Sequence, residues 1–474
     1  DLDASINNSI KNIKELGDFK AAKGESKMIF PQHDKIKRIL LIGLGKQKDL
    51  SVKKWKEVIS QATISAQNIK CKKISFYVAP KFIAAYDGLS VARETTLAVQ
   101  IGAYSFDSYK DKKSRVTPIS AVTFISTLTD KEIKQFKKGI KEGNNLGAAI
   151  NLTRELGNVP PAEMTPDYLV KEAKRIAKEY DSVSTKILRK KEMEKLGMGC
   201  LLGVAKGSIL PPAFIIMEHK GGKKDEAPTV LIGKGITFDS GGLSLKPGAY
   251  MVDMKFDMLG AATVFGIMQA AASLAIKKNI TVLVPTCENM PGPEAYRPDD
   301  ILFAMNGKSV LIKNTDAEGR LILADALCYA HTLKPLEVID FATLTGACVV
   351  ALGNQRSALF TPKDDMSQNI LQAAKTTGEH LWRLPVGDEY SAAMKSDIAD
   401  IQNMGNVGGR GYGGASTAAS FLQFFTKDYT DKKQKSYDWA HVDLSCSYYG
   451  GKGKAHIRGG ANGFGVQTFV NYLR

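Results

Sequence analysis

From residue 160 onward the chain repeats one pattern, and that pattern leaves few architectures open. A short apolar run comes first, then a loop rich in glycine or charge, then a longer segment with helical periodicity. Apolar runs at 214–217, 230–232, 280–285, 309–312, 338–344 and 439–444 read as buried strands. Helices are predicted over 166–179, from about 260, over 321–333 and over 415–425. Strands joined through helices run parallel, and a parallel sheet needs both faces covered. The expected fold class is therefore α/β, with a mainly parallel sheet flanked by helices. Ligands bind such sheets beyond the carboxyl ends of the strands, so the loops there are where chemistry is sought.

Residues 1–129 carry the same elements on a smaller scale, with strands at 39–42, 74–78 and 121–125 and a helix over 55–69. No residue cluster in this stretch points to catalysis. Its Gly43-Leu-Gly45 turn lacks the third glycine of a dinucleotide fingerprint. Residues 130–156 read as one long helix, capped by Asp130 and stopped by Gly157-Asn-Val-Pro-Pro161. The predicted organisation is a smaller N-terminal α/β domain over 1–129, a linker helix over 130–157 and a larger C-terminal domain over 158–474. The chain opens on Asp1 rather than Met, which leaves open a missing amino terminus.

Charge and cysteine usage narrow the function classes. The net charge is +16, from 65 Lys and Arg against 49 Asp and Glu. Residues 1–150 hold 27 basic and 15 acidic side chains, a net of +12; residues 151–474 hold 38 and 34, a net of +4. That asymmetry admits a DNA contact, although the lysines are dispersed and lack interleaved aromatics, as on a solvated face. The six cysteines are scattered with no Cys-x-x-Cys pair, which favours free thiols in a reducing, cytoplasmic compartment. The longest weakly polar run, 261–276, is too short to span a bilayer and reads as a buried helix, so no membrane association is expected. There is no His-Glu-x-x-His and no histidine pair at helical spacing, so a metal here would be held mainly by oxygen.

The unusual charges sit in three loops. One carries Lys234 and Asp239 within a glycine-dense run, the next Lys246 and Asp257, the third Asp316, Glu318 and Arg320 in a strand-to-helix turn. If these converge, four carboxylates share one pocket. They cannot all stay ionised there without roughly two divalent cations. Two close cations can activate a bridging water and polarise a scissile carbonyl or phosphoryl group, and a neighbouring lysine can stabilise the oxyanion that develops. Spacing alone does not separate peptide from phosphoester hydrolysis.

Asn-Thr-Asp-Ala-Glu-Gly-Arg-Leu at 314–321 resembles the signature of the leucyl aminopeptidase family of dizinc exopeptidases. The run at 233–242, Asn289-Met-Pro, Tyr296-Arg-Pro298, the block at 342–347 and Trp439-Ala-His441 are similar to further family blocks in the same order. The likeness covers about 130–474 strongly and the first domain loosely. It implies that Lys234, Asp239, Asp257, Asp316 and Glu318 hold two zinc or manganese ions, with Asp239 and Glu318 bridging and Lys234 as a neutral amine. It implies that Lys246 steadies the oxyanion and that Arg320 holds a bicarbonate acting as general base. Met254, Thr343, Gly346 and Ala461 fall where the family lines its side-chain pocket. The resemblance further implies peptide substrates with a free α-amine, a preference for leucine and other apolar residues, and a homohexamer. The alternative is a DNA-binding protein using the basic N-terminal domain, alone or alongside peptidase activity. Two features depart from the family: Leu259, where a small residue is common, is expected to narrow the floor of the site, and the 459–465 run varies. The glycine-rich loop over 405–414 is a candidate for holding a substrate carboxylate at a helix N-terminus. His441 is read as a hydrogen-bonded core residue.

Overall fold

The computed structural model describes every residue except 1, 2, 4, 5, 7, 79–81, 84, 85, 410 and 430–434. The chain forms two compact units, Asp1–Ala148 with Lys452–Gly459 and Ala149–Gly451 with Gly460–Arg474.

Two short ladders organise the first unit. Strands β1 (Ser26–Ile29) and β2 (Ile39–Ile42) pair antiparallel, and β3 (Lys73–Tyr77) and β4 (Ala121–Ile125) pair parallel. The helices Val52–Asn68 and Gly88–Ala103 pack closely. A side chain at Gly102 would stand 2.6 Å from the Ser60 carbonyl, so only glycine permits that approach. Ser60 Oγ donates to the Ala98 carbonyl across the same contact. The 452–459 segment is tied into this unit by Arg458, which donates to the carbonyls of Gly102 and Tyr104 and to Gln67.

The long helix is present as Asp130–Asn158. Its cap differs from expectation. Thr129 and Glu132 form the reciprocal pair, with the Thr129 amide and hydroxyl both donating to the Glu132 carboxylate; Asp130 is simply the first helical residue. The division between the two units falls inside this helix.

The second unit is built on a nine-stranded sheet. Its strands are β5 (Val183–Leu188), β6 (Ala213–Lys220), β7 (Thr229–Gly233), β8 (Gly235–Asp239), β9 (Asn279–Asn289), β12 (Glu337–Ala342), β13 (Ser357–Phe360), β14 (Leu381–Arg383) and β16 (Asp438–Asp443). Strands β10 (Ile301–Phe303), β11 (Ser309–Leu311) and β15 (Ile401–Gln402) form a separate three-stranded sheet. The order across the main sheet is β14-β13-β16-β12-β7-β9-β6-β5, with β8 continuing the β7 ladder along β9. The middle, β16-β12-β7-β9, is parallel; β13 joins β16, β6 joins β9 and β5 joins β6 antiparallel, while β14 runs parallel to β13. The central strands are buried along their length, as parallel strands covered on both faces must be. The helix Leu259–Ser273 buries thirteen of its fifteen residues against this sheet. The run Met254–Ser273 has the length and hydropathy of a membrane span, but 89% of its most apolar 18-residue stretch is buried inside the protein. A hairpin of β17 (Tyr448–Lys454) and β18 (Ile457–Ala461) precedes the last helix, Val466–Tyr472.

One expectation changes here. The strand before the acidic octapeptide was placed in the main sheet by the alternation argument, but β11 belongs to the small sheet, paired with β10 and β15. Three residues of backbone pairing do not reveal which sheet a strand joins.

Candidate active site

The site grows out of a break in one strand. β7 and β8 are separated by Lys234 alone, and both run parallel to β9. At the break the Lys234 amide donates to the Phe341 carbonyl on β12, and its carbonyl accepts from Ala261. The lysine side chain is thereby aimed off the ladder. Glycines make room for it: a methyl at Gly319 would lie 2.5 Å from Lys234 Cε and 2.6 Å from its Nζ. Asp239 ends β8, and Gly241 and Gly242 turn the chain with φ of +86° and +64°. Asp257 lies in the short 3-10 segment Met254–Met258. Glu318 immediately precedes the helix Gly319–His331 without a capping bond from its side chain, and Asp316 lies in the turn before it.

These loops converge. Lys234 Nζ is 2.8 Å from a carboxylate oxygen of Asp257 and 2.8 Å from one of Glu318. Lys246 Nζ is 2.9 Å from Asp239 and 2.5 Å from Asp316. Oxygens of Asp239, Asp316 and Glu318 all lie within 4.8 Å of one another. Four carboxylates thus share two ammonium groups, with a net excess of negative charge in a largely dry setting. The carboxyls of Asp239 and Asp316 are pushed up by burial and by neighbouring acids, and Asp257 is pushed well up. Burial opposes the charge on Lys234, but Asp257, Glu318 and Asp239 overcome it and hold the amine protonated, well above the usual lysine range. Cations placed among the acids would reverse that balance.

The donor set fits such cations. Buried oxygens of Asp257, Asp316 and Glu318 contact the lysines as ion pairs but make no hydrogen bond. Two ammonium groups offset only two of the four carboxylate charges, and the buried remainder is costly unless further cations offset it.

A supporting layer fixes the acids. Asn289, wholly buried, donates to Asp239 at 2.8 Å and to the Thr315 carbonyl at 3.0 Å. Tyr296 donates to the same carbonyl, and the Thr315 hydroxyl donates to the Gly241 carbonyl. Asn403 accepts from the amides of Lys313 and Asn314 and donates to the Asn314 carbonyl. Asn289 and Tyr296 stand in family-like blocks, and these bonds are what they do. Asn403 carried no signal in the sequence.

Arg320 is buried and donates to the Asn403 carbonyl, while its Nε has no partner. Burial pushes its pKa down to about 10 against the pull of Glu318 and Asp443. A cationic fork with a spare donor facing a cavity is a ready anion site.

The cavity is about 190 Å³. Lys234, Asp239, Lys246, Asp257, Asp316, Glu318 and Arg320 line it, and so do Met254, Thr343 and Gly346. Ala461 does not. It is buried apart from the cavity, its amide donating to Asn158 and its carbonyl accepting from Arg154. Leu259 does not narrow the floor either; it packs where a methyl on Gly157 would meet it at 2.5 Å. Asp443, Leu444, Ser445 and Tyr448 line the cavity without having been singled out. Asp443 accepts from the Leu344 and Thr345 amides and the Thr345 hydroxyl, bracing the turn after β12. Its closeness to Trp439-Ala-His441 was the available clue. His441 is fully buried and paired with Asp340 at 2.5 Å, a core residue as read. The glycine-rich loop leads into the helix Gly414–Phe424, and Arg410 within it lies outside the described residues.

Residues 151–470 match the sequence profile of the cytosol aminopeptidase family, catalytic domain, and residues 1–113 that of the family's N-terminal domain. A cytosol aminopeptidase of Vibrio cholerae serotype O1 is 38% identical over 475 residues, taking in 100% of this chain and 91% of that protein. A probable cytosol aminopeptidase of Dechloromonas aromatica is 40% identical over 474 residues, covering 100% and 92%. Among solved structures, a mutant tomato leucine aminopeptidase is similar with a TM-score of 0.86 at 33% identity, covering 100% of this chain and 88% of that one. The bottromycin maturation enzyme BotP in complex with Mn is similar with a TM-score of 0.84 at 29% identity, covering 98% and 95%.

Proposed function

This chain belongs to the cytosol aminopeptidase family, whose members are metal-dependent aminopeptidases, and from that premise we propose a two-metal exopeptidase that releases leucine and other apolar residues from peptide N-termini. The observation that carries this reading is the cluster itself: four convergent carboxylates, two ammonium groups and three buried oxygens without hydrogen bonds.

Lys234, Asp239, Asp257, Asp316 and Glu318 would hold two divalent cations, zinc or manganese. Such a pair, when bound, supplies an activated water and a Lewis acid for the scissile carbonyl. This chain's own residues do the rest. Lys246, freed from Asp239 and Asp316, turns its ammonium toward the oxyanion that forms on the carbonyl. Arg320 holds a small anion, bicarbonate in this reading, as proton acceptor beside the attacking water. Met254, Thr343 and Gly346 receive the substrate's first side chain. In this reading the substrate's free α-amine would sit among the acids and the cations they hold, a contact that an acetylated amine cannot make. A cytoplasmic homohexamer completes the proposal, supported by family resemblance and by six cysteines that are all free.

The test is hydrolysis of leucine anilide by chelator-stripped protein, before and after adding manganese or zinc. Release restored by metal and abolished by acetylating the substrate's amine is the expected result. Folded protein inactive with either metal would overturn the reading. A second reading, DNA binding by the basic N-terminal stretch, is favoured only by its net +12. It predicts salt-sensitive retardation of duplex DNA, and no retardation at low salt dismisses it.

A further inference from the structure

A second cavity, of about 390 Å³, lies at the edge of the main sheet. Arg356, Lys375, His380 and Trp382 are among its lining residues. The Arg356 guanidinium lies over the Trp382 ring, 5.4 Å from its centroid. Trp382 is 55% exposed, unusual for a large aromatic ring. Two other charged groups of the cavity are committed elsewhere. Glu379 accepts from the Gly465 and Thr468 amides, and Arg383 is paired with Asp364. Among the described residues no carboxylate pairs with Arg356 or Lys375. The cavity is thus a basic pocket beside an aromatic platform.

Its position connects it to the active site. Ser445 lines the active-site cavity, and its hydroxyl donates to the Arg356 carbonyl at 2.6 Å. Leu381 pairs with Ser357 in the next strand, so Trp382 lies two strands from β16 on the same end of the sheet. With strands about 4.8 Å apart, that is a lateral offset of roughly 10 Å. The helix Gly346–Leu352, whose Gly346 and Val349 line the active-site cavity, leads from it toward Arg356. An extended peptide advances about 3.4 Å per residue. A peptide leaving the active-site cavity along this end of the sheet would cover that offset in about three residues.

We propose that Arg356, Lys375 and Trp382 form a distal subsite that binds a carboxylate three or four residues from the substrate's amino terminus. The proposal rests on the aminopeptidase reading. The carboxylate belongs either to the free end of a short peptide or to an acidic side chain, and both present the same chemistry to the pocket.

The test compares kcat/KM of the metal-loaded full-length protein on a leucine-led neutral tetrapeptide as free acid and as amide, and on the amide with Asp in the fourth position. Leucine anilide serves as reference. The free acid or the Asp peptide is expected to exceed the plain amide about fivefold, the scale of one half-exposed charge pair. That ratio should fall toward one in Arg356→Gln and in Lys375→Gln. Preference for the free acid alone assigns the terminal carboxylate, and preference for the Asp peptide alone assigns the side chain. Equal rates on all three peptides by a protein that cleaves leucine anilide would overturn the subsite, as would a preference that both variants keep. A protein that cleaves neither anilide nor peptide would overturn the aminopeptidase reading, and the subsite with it.

Discussion

The Lys246 ammonium is held by two of the acids, Asp239 and Asp316. Replacing the lysine with glutamine keeps most of the volume and removes the charge. The expected outcome for Lys246→Gln is a fall in kcat of roughly 100- to 1000-fold with little change in KM, the scale of one lost oxyanion donor. Steady-state kinetics on leucine anilide check it, and full kcat would remove Lys246 from the mechanism. Asn289 acts one step back. Its amide fixes Asp239 and the Thr315 carbonyl from a fully buried position. Asn289→Ala removes one donor from each acceptor, leaving Tyr296 on the Thr315 carbonyl and the Gly241 amide on Asp239, and should cost about 1 kcal/mol of stability by urea denaturation. Metal affinity should fall by roughly 10- to 100-fold, as for other groups that orient ligands.

At the scale of elements, the helix Gly319–His331 serves the site with both its start and its interior. Gly319 opens it. Helix propensity says alanine there should stabilise the helix by about 1 kcal/mol, but the added methyl would press on Lys234 at 2.5 Å. Gly319→Ala should therefore give a folded protein with activity lost, and normal activity would show that Lys234 can shift without consequence. A circular dichroism melt and an anilide assay read the two effects separately. Further along, Asp325 is fully buried and accepts from the amides of Leu201 and Met305. Burial raises its pKa to about 7 despite those bonds. The folded state thus holds a proton that the unfolded chain has released, so this group's contribution is present below about pH 4 and is lost as pH rises through 7. The urea midpoint of the native protein should drop between pH 5 and pH 8, and Asp325→Asn should flatten that drop. An identical slope in the variant would clear Asp325 of the effect.

For the whole molecule, cations that bind only the folded acids must stabilise the fold. At a hundredfold excess over Kd each bound cation adds about 2.7 kcal/mol, and that raises the melting midpoint by roughly 2 °C or more in a chain of this size. Manganese or zinc should produce this rise in stripped protein, and Asp316→Ala should abolish it. A rise that survives in the variant would place the metal elsewhere. Activity and melting should then respond to the same metal concentrations.

Much of this was readable from the chain alone, because periodicity and loop chemistry are local. The strand at 121–125 and the helix at 166–179 fall where the pattern puts them, since each has apolar residues at its own period and clear stop signals. The seven charged residues assigned to the metals, the oxyanion and the anion line one cavity, because acids packed so closely in loops after strands have little other use. Short pieces were not readable. β14 has three residues and β15 two, too few to show a period. What only the tertiary structure decided is which distant groups meet. It put β11 in the small sheet rather than the large one, moved Ala461 out of the cavity, packed Leu259 against Gly157, and brought Asn403 and Asp443 to the site. Those outcomes depend on packing between segments far apart in the chain, where a residue's own neighbours carry no trace of its partner.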